Sequence, residues 1–184
     1  LTVRSRRTAS PPLNSSVRPM SIDHTAQAEI LSDIQRVETV LGSGIFDAGR
    51  ASHPLFPSAL TEVLIRVRDL LAKAEKYAQR VSFTDDVTVK GKVNDVTGLV
   101  AFVRDAVCHI DSGKHDHDEV QARVSFNVVV GKACLAEING VRIESEYGDD
   151  IAFFFGPQRL YLRRHLLRAY KEAEASLRPF LADA

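Results

Sequence analysis

Arg123-Val124-Ser125-Phe126-Asn127-Val128 alternates between polar and apolar residues, and Ala133 to Ile138 and Val141 to Tyr147 flank Asn139-Gly140. Alternation with a period of two is the mark of a strand with one buried face. Asn-Gly between two such runs is the strongest short hairpin signal, because both residues tolerate positive φ. Asp149-Asp150 leads into a short apolar run, Ile151 to Phe155, and Gly156-Pro157 closes it. Residues 122–155 therefore predict a small antiparallel β-meander. Phe126, Val128, Val130, Phe153 and Phe155 are its candidates for the side turned to a helix.

On either side of the meander the apolar period is helical. Ile30, Ile34, Val37 and Leu41 predict a first helix over about 23–41, stopped at Gly42. Gly44, Gly49, Pro54 and Pro57 break the next stretch, and Pro57 suits the first turn of a second helix reaching about Arg80. Leu60, Val63, Leu64, Val67, Leu71 and Ala74 give that helix its apolar stripe. Residues 81–93 fit either a short strand or an irregular loop. Asn94 or Asp95 caps a third helix carrying Val96, Leu99, Val100, Val103 and Val107, ending near Ile110. A last helix is expected from Gln158 to about Leu181. The expected fold class is mainly α: a bundle of about four main helices, with the small antiparallel meander inserted before the last.

Lys plus Arg and Asp plus Glu both total 24, so the chain of 184 residues has no overall electrostatic drive toward nucleic acid. Polyanion binding would have to come from local clusters. Residues 1–22 hold Arg4, Arg6, Arg7 and Arg18 among Ser, Thr and Pro, and read as a disordered basic tail ahead of a domain at 23–184. Met20 is an alternative natural start. Two isolated cysteines, Cys108 and Cys134, fit a reducing cytoplasm. The apolar runs are too short for a membrane span, and a secretory leader pattern is not expected.

The chemistry-bearing stretch is Arg104-Asp105-Ala106-Val107-Cys108-His109. Asp105 and His109 are four residues apart and share a helix face, so the carboxylate is placed to orient the imidazole. His109 lies nearly opposite the valine stripe, and Phe102 projects close to it, which suggests a face covered by a second subunit. Arg104 is long enough to reach an anion shared at the helix end. The plain alternative is that Arg104 pairs with an acid and His109 merely caps the helix C-terminus.

This hexapeptide resembles the motif of the HEPN superfamily, Arg followed by four to six residues and then His. The surrounding Phe83-Thr84-Asp85-Asp86-Val87, Val93-Asn94-Asp95-Val96-Thr97 and Asp149-Asp150-Ile151-Ala152 to His165 look like a bacterial and plasmid-encoded branch of it. The resemblance implies a HEPN-like bundle forming a homodimer, and a metal-independent endoribonuclease of the toxin or defence type with a cognate antitoxin or defence partner. His109 would be the general acid or base, Arg104 the phosphate-stabilising charge, and Asp105 the orienting group. Non-catalytic members, which bind a partner protein, a nucleotide or RNA, are the alternative.

Further candidates lie outside the motif. On the expected last helix, Tyr161, Arg164, His165, Arg168 and Lys171 share a face that could track an RNA backbone, with a solvated face neutralised by Glu172 as the plain reading. Asp111, His115, Asp116, His117, Asp118 and Glu119 are dense in ligand types but match no metal motif, so a solvated acidic loop is expected and neither metal nor cofactor is implied. Cys134 reads as a small core residue on a strand.

Overall fold

The structure is a computed structural model that describes residues 22–181. The basic tail and the alternative start at Met20 lie outside the described residues. Three helices come first: α1 (His24–Gly42), α2 (Phe56–Tyr77) and α3 (Val96–Cys108). The Asp23 carboxylate caps α1 by accepting from the Ala26 N–H at 2.8 Å. Pro57 stands in the first turn of α2, whose face of Leu60, Val63, Leu64, Val67, Leu70, Leu71 and Ala74 is buried. Asp95 caps α3 by accepting from the Gly98 N–H at 2.8 Å, and Arg80 Nε donates to the same carboxylate at 2.8 Å. That bond explains why α2 stops at Tyr77 rather than near Arg80: the chain leaves the helix and carries Arg80 back to the cap of α3.

Seven short strands follow: β1 (Asp116–His117), β2 (Ala122–Arg123), β3 (Asn127–Val130), β4 (Ala133–Ile138), β5 (Val141–Ser145), β6 (Ile151–Phe155) and β7 (Gln158–Tyr161). Among the described residues they form three antiparallel sheets, β1-β2, β4-β5 and β3-β6-β7, and are followed by a π-helical stretch (Leu162–Leu167) running into α4 (Arg168–Leu177). The expectation of a mainly α bundle with a minor insert is thus corrected: helix makes up 49% and strand 19%, and strand β6 runs through the middle of the packing rather than beside it.

The physical reason is that β6 has no solvent face. Every residue from Ile151 to Phe155 is buried. Ile151, Phe153 and Phe155 enter the helical core, where Phe153 lies 6.0 Å from Phe56 and Phe155 lies 5.8 Å from Phe126, ring centre to ring centre. Ala152 and Phe154 point the other way, into a second cluster with Val124, Val129, Ile143 and Tyr161. The three-stranded sheet is therefore a layer with helices on one face and the β4–β5 hairpin toward the other. Val128 joins the helical side as expected, whereas Val130 at the strand end is exposed.

The last helix is the other correction. Gln158 to Tyr161 pairs with β6 in the register Phe153↔Leu160, so this segment is a strand. Gly156 makes the turn between them possible: its φ is +51° and a Cβ there would stand 2.3 Å from the Lys114 carbonyl oxygen. The helix then begins at Leu162, with the buried Asp150 carboxylate accepting the backbone N–H groups of Arg163 at 2.8 Å and Arg164 at 3.1 Å. Among the described residues no helix is long and apolar enough to cross a membrane.

Candidate functional site: the outer face of helix α3

The stripe of Val96, Leu99, Val100, Val103 and Ala106 fixes the rotation of α3 by burying it against the core. Arg104, Asp105 and Phe102 are left on the half-exposed outer side, and Cys108 and His109 are exposed at the end. The helix ends at Cys108, and the His109 backbone N–H donates to the Asp105 carbonyl at 2.9 Å.

Asp105 is the organiser of this face, with partners other than the one expected. Arg104 Nη1 donates to one carboxylate oxygen at 3.0 Å, and Lys114 Nζ donates to the other at 2.6 Å. Burial alone would raise the Asp105 carboxyl, but these two cations outweigh it and hold it below the ordinary carboxylate value. The His109 ring has no hydrogen bond to Asp105, so the expected carboxylate–imidazole pair is absent. The helix ends before the His109 side chain can stack one turn above Asp105. Phe102 is half-buried: its ring packs against the core, and Lys114 Nζ lies 5.6 Å from the ring centre.

Lys114 comes from the turn Gly113–His115, and together with α3, the Lys90–Val93 turn and the start of β7 it encloses a cleft of about 490 Å³. Phe102, Asp105, Lys92, Lys114, Asp116 and Gln158 are among its lining residues. Gln158 is 2% exposed, and its side-chain oxygen has no hydrogen-bond partner among the described residues. Such a group costs about 1–3 kcal/mol when left unpaired. Lys92 forms no ion pair among the described residues, whereas Lys90 is held by Glu119 at 3.1 Å. Sequence reasoning missed Gln158, Lys92 and Lys114, which only tertiary packing brings beside the hexapeptide.

The basic stripe expected on the last helix does not form one open face. Tyr161 is fully buried on β7, its hydroxyl accepting the Glu146 N–H at 3.0 Å. His165 is also fully buried: Nδ1 accepts from the Tyr161 N–H at 3.1 Å and Nε2 meets the Asp85 carbonyl at 3.0 Å. Arg164 is bound by Asp149 and Asp150 and lies 3.6 Å over the Tyr147 ring. Arg168 is bound by Asp85 and Glu172 over the Phe83 ring. A strand followed by a π-helical stretch breaks the 3.6-residue phase that had put these residues together.

The segment 111–119 also divides. Asp111, Asp116, Asp118 and Glu119 are exposed, but His115 is 2% exposed, its ring 6.3 Å from that of Phe155. No group of three or more His, Cys, Asp or Glu among the described residues is arranged to hold a metal ion. Cys134, expected in the core, is exposed on β4.

No family model, curated protein or solved structure matches this chain. The functional reading therefore rests on the α3 face itself.

Proposed function

We propose that the outer face of α3 binds single-stranded RNA, with a phosphate against Arg104 and Lys114 and an unstacked base in the cleft beside them. The single observation that carries this reading is the Asp105 clamp, which fixes Lys114 in the wall of the cleft and Arg104 beside it. A fixed pair of cations meets a phosphate without first losing side-chain freedom. Phe102 offers the exposed part of its ring for a base to stack on, and Gln158 must turn its amide to accept from a base N–H. Asp116 and Asp118 at the rim repel a second phosphate but accept from ribose hydroxyls, the groups that separate RNA from DNA.

Fluorescence anisotropy with a short labelled RNA tests this. Arg104→Ala and Lys114→Ala should each weaken binding roughly tenfold and flatten its salt dependence, and the matching DNA should bind less tightly. Wild-type protein that binds RNA no better than either variant does would overturn the reading.

A second reading is favoured by the exposed His109 ring, which no partner among the described residues occupies. In it the bound RNA is cleaved without a metal. Arg104 stabilises charge on the phosphate, and His109 moves the proton of the ribose 2′-hydroxyl or of the leaving oxygen. Asp105 acts by holding Arg104 and Lys114 rather than by orienting His109. An antitoxin or other neutralising partner belongs to this reading alone.

A further inference from the structure

Strand β4 has one free edge. It is hydrogen-bonded to β5 on one side, and the sheet ends there. Ala133, Cys134, Leu135 and Glu137 are exposed, with Leu135 at 40%, and no backbone group of this strand bonds to another element among the described residues. An exposed edge rich in apolar residues is a template for another strand.

The sequence along this edge is complementary to itself. Lys132-Ala133-Cys134-Leu135-Ala136-Glu137, laid antiparallel on a second copy, sets Lys132 opposite Glu137, Ala133 opposite Ala136, and Cys134 opposite Leu135. Both charged ends then meet opposite charge. Opposed residues of an antiparallel pair must share a face, and positions five apart in an unbroken strand do not. The strand is not unbroken: its register with β5 slips by one between Cys134 and Ala136, leaving Leu135 without an opposite residue. That bulge shifts the alternation by one, so Ala133 and Ala136 share a face, and Lys132 stands in the bend just before the strand, opposite Glu137 of the second copy.

We propose that β4 pairs with β4 of a second copy in this register, giving a symmetric dimer with a continuous β5-β4-β4-β5 sheet. The twofold axis passes between Cys134 and Leu135 of each strand, and the interface is isologous, so each copy supplies both halves of every pair. Glu137 keeps only a long contact to Arg142, at 3.8 Å, and Lys132 has no ion pair among the described residues, so both are available to the partner. The α3 face takes no part in this interface and stays open to its own ligand.

Sedimentation velocity of the full chain over a range of concentrations tests the pairing. The wild type should dimerise, and Lys132→Glu or Glu137→Lys should each raise the dissociation constant roughly tenfold by setting two like pairs across the axis. The double swap K132E/E137K should restore the wild-type constant. Both positions are exposed, and unchanged circular dichroism will confirm that the variants fold. A monomer at all concentrations, a dimer indifferent to the single swaps, or a double swap that fails to restore association would each overturn the proposal.

Discussion

Removing the Asp150 carboxylate should unlock the junction on which the second half of the fold depends. Asp150 is 3% exposed, and its carboxylate accepts from four donors: the backbone N–H groups of Ile151, Arg163 and Arg164 and the Arg164 guanidinium. It thereby ties the start of β6 to the first turn of the last helix. In Asp150→Ala three backbone donors lose their acceptor, and Arg164 keeps only Asp149, at 3.0 Å. Each stranded buried donor costs about 1–3 kcal/mol, with solvent reaching those near the exposed Arg163, so a net loss of about 3–5 kcal/mol is expected. Asp150→Asn keeps one oxygen as acceptor and turns an amide NH2 toward Arg164, for a loss of about 1–3 kcal/mol. Urea unfolding, followed by circular dichroism, reads both values if the slope is unchanged. A loss below about 1 kcal/mol in the alanine variant would refute the assignment of this carboxylate as the lock.

Three further outcomes follow from the same geometry. Burial pushes the His165 imidazole below its ordinary value of 6.5, so its contribution to stability is complete above that pH and is lost as pH falls toward the depressed folded value; the melting temperature should drop over this range in the wild type and less in His165→Gln. Gln158→Leu should hold or raise the melting temperature, because it removes an unpaired buried oxygen, while weakening RNA binding; a parallel loss of stability and binding would show Gln158 to be a packing residue only. If the bound RNA is cleaved, His109→Ala should lower the rate by roughly 10²–10⁴ without changing the unfolding midpoint, and the wild type should leave 2′,3′-cyclic phosphate ends in EDTA; full cleavage by a folded His109→Ala would exclude the histidine.

The parts of this fold legible in the sequence are those whose period is set by one neighbour. The stripe of α2 faces a single core, and Asn139-Gly140 takes positive φ at both residues within a hairpin, so both were readable. Ile151 to Phe155 is apolar without alternation because it is buried from two sides, and its run was readable as a strand but not as the central layer. Gln158 to Leu167 reads as helix because a helical wheel extends smoothly through a strand and a π-helical stretch, while what resets the phase is the pairing of this segment with β6 and the bond from the Arg163 N–H to Asp150. At the site, the hexapeptide announced Arg104, Asp105 and His109. The partner that reorganises them, Lys114, lies nine residues from Asp105 on another segment, beyond any helical spacing rule.

The most direct test of the central claim is a two-dimensional ¹H–¹⁵N NMR titration of the protein with a short single-stranded RNA. The α3 face predicts shifts concentrated at Phe102, Arg104 and Asp105, at Lys114 to Asp118, at Lys92, and at the buried side-chain amide of Gln158, the last moving because its oxygen gains a donor. Shifts gathered instead on the α4 face around Arg164 and Arg168, or the absence of shifts at RNA concentrations that saturate the anisotropy signal, would contradict it.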